Sequence, residues 1–245
     1  GRYDLVTAYN ICAWSGKLGQ KKREGDRQAP EGFYTIRPAQ LNPKSKYFLA
    51  FDTGYPNAYD RSHGYSGANL MVHGACSSSG CYSMTDESVQ EIFAFARDAL
   101  KGGQDGFVLQ ALPFRMTAEK MAFYAGDENF EFWKMIKQGY DHFELTRQVP
   151  KVDVCEGKYV FNRTAAEGAS FKASAACPPS AVPASLASAE AAYQVKYEAA
   201  FAKARAKYDD LPVPVVMGGK SRPLDKKWKP KSVSMPSTMA FAAPP

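Results

Sequence analysis

The sequence predicts a mainly β domain with flanking α-helices, extended at its C-terminal side by one helix and a Pro- and Lys-rich tail. Short aromatic and β-branched runs bounded by Gly, Pro, Asn and Asp fill the first part of the chain, the pattern of strands and turns. Two later stretches repeat apolar residues at i, i+3, i+4 spacing, which marks helices with one buried face. From Pro183 the composition turns Ala-rich with interleaved Glu and Lys, and past Leu211 it shifts to Pro, Lys, Ser and Ala. The expected division is a principal domain over residues 1–150 and an extension over 151–245.

Over residues 3–36, apolar runs alternate with Gly and charged clusters, as in Ala13-Trp14-Ser15-Gly16-Lys17-Leu18-Gly19. Gly32-Phe33-Tyr34-Thr35-Ile36 and Lys46-Tyr47-Phe48-Leu49-Ala50-Phe51 predict strands. A Gly-, Tyr- and Asn-rich loop over 52–69 leads into a short apolar strand, Leu70-Met71-Val72, that runs straight into His73-Gly74. Thr85 or Asp86 then caps a helix whose Val89, Ile92, Phe93, Ala96, Ala99 and Leu100 share a face until Gly102-Gly103 stops it. A strand follows over 107–112, and a helical region over 118–145 is broken near Gly126. The aromatic stripe of that region, Phe130, Trp133, Tyr140 and Phe143, has core spacing. Residues 152–161 read as two short strands around Glu156-Gly157, and 183–208 as an Ala-rich helix. Beyond Leu211 the chain buries too little to fold alone, so an extended tail that wraps the domain or stays mobile is expected.

With 45% of its 245 residues apolar and 23% charged, the chain can bury a sizeable core. No stretch reaches the roughly 20 uninterrupted apolar residues of a membrane-spanning helix. No signal-peptide core is visible at the N-terminus, so an export signal is expected to be gone already. The formal charge of +6 suits a polyanion, but its excess lies in Lys21-Lys22-Arg23 and over 220–231 with no nucleic-acid module beside it, so solvated lysines are expected rather than nucleic acid. Five cysteines, Cys12, Cys76, Cys81, Cys155 and Cys177, imply one reactive thiol and up to two pairs. Cys155 and Cys177 flank the short hairpin and suit a disulfide in an oxidising compartment; the alternative is that the cysteines other than Cys81 are small buried hydrophobes. Zinc is not expected, because Cys76 and Cys81 lack the spacing of a ligand knuckle and there are only three histidines; no other cofactor is implied.

A cysteine nucleophile needs a base or a positive potential beside its thiol. Cys81 precedes a predicted helix, follows Gly80, and stands a tight Ser-rich turn away from His73. A strand ending at His73 and a return to Cys81 would bring imidazole and thiol together, with the Gly80 backbone N–H offered to an oxyanion. Ser77, Ser78 and Ser79 read as turn residues rather than nucleophiles.

The string His73-Gly74-Ala75-Cys76-Ser77-Ser78-Ser79-Gly80-Cys81-Tyr82-Ser83-Met84 resembles the active-site signature of the L,D-transpeptidase (YkuD-type) catalytic domain. The resemblance continues through Trp14 to Gly19, Arg23-Glu24-Gly25-Asp26, Ala29 to Tyr34 and Gly54-Tyr55-Pro56-Asn57-Ala58-Tyr59-Asp60. Pro113-Phe114-Arg115-Met116-Thr117 and Phe132-Trp133 are similar to later elements of its YafK-like branch, and the likeness spans about residues 3–150. It implies a β-sandwich-like fold and a periplasmic or cell-wall enzyme. Such an enzyme cleaves after the L-centre of meso-diaminopimelate in a peptidoglycan stem through a cysteine acyl-enzyme. An amine then accepts the acyl group, forming a crosslink or attaching an outer-membrane protein, or water accepts it and a lipoprotein is released. A wall-binding module without catalysis is the alternative of a different class.

Carried onto this sequence, the resemblance makes Cys81 the nucleophile and His73 the general base and acid. Gly74 becomes the close turn, and Ser79 with Gly80 the approach to the thiol. The Arg or Asn that many members carry after the cysteine is absent here, replaced by Tyr82-Ser83-Met84. The interval from His73 to Cys81 is shorter than in the wider family, which makes His63-Gly64 a rival base. His73 is favoured by its apolar strand lead-in, and His63, in its polar loop, becomes a substrate contact. Arg61, Tyr55 and Asn57 of that loop, with Asp60 beside them, and Tyr82 after the thiol are the other candidate substrate residues, suited to carboxylates and amides. His142 is expected to be a packing residue.

Overall fold

The computed structural model describes residues 1–209 and 211–220; the rest of the predicted tail, 221–245, lies outside the described residues. In chain order the elements are β1 (Gly32–Ile36), β2 (Leu41–Asn42), β3 (Ala50–Asp52), α1 (Ala58–Ser62), β4 (Met71–His73) and β5 (Tyr82–Ser83). Then come α2 (Asp86–Lys101), β6 (Phe107–Ala111), α3 (Ala118–Phe123), α4 (Phe130–Thr146), β7 (Val152–Cys155), β8 (Lys158–Phe161), β9 (Thr164–Ala165), β10 (Ser180–Ala181) and α5 (Ala184–Arg205).

Two small sheets build the principal domain. One is ordered β2-β3-β4-β5, with β4 and β5 parallel and the other neighbours antiparallel. The second pairs β1 antiparallel with β6, Tyr34 opposite Leu109. Tyr34, Ile36 and Ala111 from this pair and Phe51 and Val72 from the first sheet share one buried cluster, and the rings of Phe51 and Phe107 meet edge to face at 5.6 Å. The sheets therefore face each other across apolar side chains, the sandwich-like arrangement expected.

Helix α2 closes this core with Val89, Phe93, Ala96 and Leu100, the face its periodicity predicts. Its N-cap is Thr85, whose hydroxyl accepts from Ser88 N–H. A second core forms around Trp133 and Ile136 of α4, both fully buried, with Phe33, Tyr59, Met116 and Met121. The β7–β8 hairpin adds Val154, Tyr159 and Phe161 to that same core, so hydrophobic packing continues across residue 150. Helix α5 lays Tyr197 and Phe201 against it and leaves its other face in solvent. His142 is buried, as expected of a packing residue.

One strand is shorter than its sequence predicts. Tyr47 and Phe48 lie in a turn, with Phe48 at φ 72°, and β3 begins only at Ala50. Gly74 explains this, because its N–H is shared between the carbonyls of Tyr47 at 3.1 Å and Leu49 at 3.2 Å, which curls the chain around the end of β4.

Candidate active site

Strand β4 ends at His73 and β5 begins one residue after Cys81, with Val72 opposite Tyr82 and His73 opposite Ser83. This parallel pairing sets Cys81, just before β5, beside Met71 of β4, two residues ahead of His73. His73 is 2% exposed and Cys81 half-buried. The Cys81 thiol accepts from Met71 N–H at 3.4 Å and points its own S–H at the Asn69 carbonyl at 3.6 Å. Thiol and imidazole are not hydrogen-bonded to each other in this resting arrangement, which is common where a catalytic contact tightens on substrate binding.

His73 Nδ1 lies 2.6 Å from the Gly74 carbonyl. A carbonyl only accepts, so Nδ1 carries the proton and Nε2 keeps a free lone pair. Burial holds the imidazole below its usual pKa, with the Gly74 carbonyl partly opposing this. Burial also raises the Cys81 thiol, and Asp52 adds to that; Met71 N–H and Lys21 pull the other way. At neutral pH the resting pair is thus thiol and neutral imidazole rather than an ion pair.

The turn between them is tightly held. Ala75 and Cys76 both have positive φ, 62° and 43°, an arrangement that costs non-glycine residues about 1–2 kcal/mol each unless the surroundings impose it. Here they do. Asp86 at the start of α2 accepts from Ala75 N–H at 2.7 Å, Cys76 N–H donates to the Met84 carbonyl, and a disulfide ties Cys76 to Cys12. Ser78 Oγ donates to the Cys81 carbonyl at 2.7 Å and meets Ser15 Oγ at 3.3 Å. Gly80 has φ 119°, and a side chain there would press on Leu70 and the Gln28 carbonyl.

The other expected site residues separate into two groups. Arg61 and Ser79 are exposed. His63 is exposed too, its ring tilted against those of Tyr59 and Tyr65, with Nδ1 2.9 Å from the Tyr59 carbonyl and the ring near Gly157 of the hairpin turn. Tyr55, Asn57 and Tyr82 spend polar groups on bonds within the protein. Tyr55 is 5% exposed and donates to the Lys21 carbonyl, while Tyr82 donates to the Pro30 carbonyl, so both hydroxyls face inward. Asn57 caps α1 and spends its amide on Phe33 and Tyr159. Asp60 is 3% exposed and accepts from Asn57 N–H. The Gly80 N–H is also not free, because it donates to Ser78 Oγ at 3.3 Å.

Sequence reasoning missed Ser15, Ser78, Tyr47 and the Cys12–Cys76 bridge. The odd cysteine count was the one available signal for the bridge. Cys155 pairs with Cys177 as suggested, and Cys81 is the free cysteine. No group of metal-binding residues is found among the described residues.

A free thiol immediately before β5 and a buried imidazole at the end of the parallel strand β4 stand in one two-sheet scaffold. Residues 4–106 match the YkuD family, the L,D-transpeptidase catalytic domain. YafK of Escherichia coli K12 is 47% identical over 162 residues, 66% of this chain and 66% of that protein, and its counterpart in strain O157:H7 matches equally. The chain thus aligns with just under two thirds of the length of these relatives. A more remote likeness is the helical cell shape determining protein Pgp2 of Campylobacter jejuni, 20% identical over 58% of this chain and 61% of that one with a TM-score of 0.33.

Proposed function

We propose that the protein is a peptidoglycan L,D-transpeptidase of the periplasm that acts on meso-diaminopimelate stem peptides through a thioester on Cys81. The observation that supports this is the free Cys81 thiol immediately before β5, whose parallel partner β4 ends at the buried His73, with Nδ1 of that ring against the Gly74 carbonyl and Nε2 left to act as base. Nε2 takes the thiol proton as Sγ bonds to the carbonyl carbon at the L-centre of diaminopimelate. The C–N bond to D-Ala then breaks, and Nε2 gives the proton to the departing amine. An acceptor amine, deprotonated by the same Nε2, attacks the thioester and releases Cys81 as a thiol. Where the departing amine is the lysine of a wall-attached lipoprotein instead of D-Ala, and water takes the place of the acceptor amine, the same steps make the protein a hydrolase that releases the lipoprotein. The Cys81 N–H and groups freed on substrate binding serve the oxyanion, since Gly80 N–H is engaged by Ser78. Arg61 in α1 and His63 at its C-terminal end, both exposed, are the proposed contacts for stem-peptide carboxylates and amides.

Incubation with intact sacculi, followed by mass spectrometry of the digest, tests the assignment. Crosslinks between two diaminopimelates support transfer, and released lipopeptide supports hydrolysis. A Cys81→Ala protein should give neither product. Unchanged products from Cys81→Ala would overturn the thioester, and wall binding without products in the parent protein would leave a non-catalytic module.

A further inference from the structure

The His73 ring is enclosed by more than its own strand. The ring of Tyr47 lies on it with centroids 4.7 Å apart and planes inclined by 33°. The backbone holds that contact in place, because the Tyr47 carbonyl accepts the Gly74 N–H at 3.1 Å. Gly74 has no room for a side chain there: a Cβ would stand 2.9 Å from the Tyr47 carbonyl and would collide with Asp86. Phe48, next in the chain, is kept at φ 72° although a bulky residue gains nothing from that conformation. Strain of this kind persists only where neighbouring contacts over-determine it. All these constraints converge on keeping one aromatic face against the imidazole.

We infer that Tyr47 is a positioning residue for His73: its ring fixes the plane in which Nε2 is offered to the Cys81 thiol and stabilises the imidazolium formed when the thiol proton arrives. This rests on the assignment of His73 as base. The chemistry follows from burial, since a cation formed on a ring 2% exposed has little water to solvate it. The π-face of a tyrosine supplies negative potential at this distance, a contribution of about 0.5–2 kcal/mol. The ionisable groups around the imidazole are few. Lys46, with Nζ 5.1 Å from the Tyr47 ring centroid, draws on the same π-face and opposes the effect. Asp86 is occupied by Ala75 N–H, and Cys81 across the strand pair is the proton donor itself. Tyr47 does not touch the reacting atoms in this scheme; it acts through the imidazole.

The test uses the full chain and a purified disaccharide-tetrapeptide bearing meso-diaminopimelate, with rates followed by mass spectrometry between pH 4.5 and 8. Tyr47→Leu keeps the bulk and loses the π-face. It should lower kcat by about 10-fold with KM changed less than about two-fold, and move the acidic limb of the rate profile to lower pH. Tyr47→Phe should restore both to within about two-fold. Unaltered kcat and profile in Tyr47→Leu, with His73→Gln inactive, overturn the inference and leave the base assignment standing. A fully active His73→Gln, or a parent protein without turnover, overturns the assignment itself. An independent reading needs no variant at position 47. In the parent protein the carbon-bound protons of the His73 ring should be shifted upfield by the Tyr47 ring current, and ordinary histidine shifts would overturn the stack.

Discussion

Glu31 shows how single residues decide the behaviour of this fold with pH. Its carboxylate is buried and accepts from Gly19 N–H at 2.7 Å and Trp133 Nε1–H at 2.9 Å. Burial outweighs both bonds and pushes its pKa up to about 7, and burial likewise lifts Asp60 to about 6. A carboxyl raised in the folded state binds its proton more tightly than the unfolded chain does. Its stabilisation is therefore complete below the unfolded value near 4.5 and is lost as pH rises towards 7, by up to roughly 3 kcal/mol for Glu31. Urea unfolding at pH 4.5, 6 and 7.5 should show this decline, and Glu31→Gln should flatten it; a parent protein whose stability rises across that window would contradict the burial argument. Asn57 gives a second expectation, because its side chain is consumed by the α1 cap, Phe33 and Tyr159. Asn57→Ala should cost about 2–3 kcal/mol of stability while leaving kcat and KM of the folded fraction unchanged. A raised KM at unchanged stability would return it to the substrate contacts first expected of it.

At the scale of elements, the turn from β4 to β5 depends on the N-terminal segment as much as on itself. The Cys12–Cys76 bridge, the Ser15–Ser78 contact and the bonds of Cys12 and Ala13 N–H to the Ser83 carbonyl hold residues 12–15 along one side of it. Closing a loop across a sequence separation of 64 stabilises by about 4 kcal/mol in the chain-entropy account. Replacing Cys12 and Cys76 by Ser should remove stability of that order. It should also lower turnover in the fraction still folded, because Ala75 and Cys76 then have less to hold their positive φ. Equal turnover per folded molecule would show that Asp86 and Met84 suffice. Much of this region was legible in sequence for physical reasons: the apolar lead-in of Leu70-Met71-Val72 marks β4, the Thr85 cap and the Val89 to Leu100 stripe mark α2, and both appear as expected. What could not be read was long-range. Nothing in a single sequence indicates that Tyr47 turns back onto His73, that Cys12 meets Cys76, or that the Tyr55 and Tyr82 hydroxyls point inward, because each depends on which segments become neighbours.

For the whole molecule, residues 216–220 of the C-terminal extension lie along the N-terminal segment that borders the β2-β3-β4-β5 sheet. Ala13 bridges Ser83 on one side and Lys220 on the other, and Lys17 bridges Met217, so residues 216–220 run as an edge beyond the segment that clamps the β4–β5 turn. Three backbone bonds make the attachment: Trp14 N–H to the Gly219 carbonyl, Leu18 N–H to the Val216 carbonyl, and Gly218 N–H to the Gly16 carbonyl. Val216 also packs on the core around Trp133. The expected wrapping tail is thus realised over this stretch, and it connects to the thiol through Ser15 and Ser78. Ending the chain at Asp209 removes all three bonds at about 0.5–1.5 kcal/mol each, a loss of roughly 2–3 kcal/mol. Because the loss falls on an edge, it should register first as local opening. Hydrogen exchange should accelerate at Trp14 and Leu18, and less at Cys76 and Gly80, while Trp133 and Ile136 in the second core stay protected until global unfolding. Unchanged exchange at Trp14 and Leu18 in the shortened chain would mean that the strap contributes nothing to the sheet, and that the N-terminal segment is held by Cys12–Cys76 and Ser83 alone.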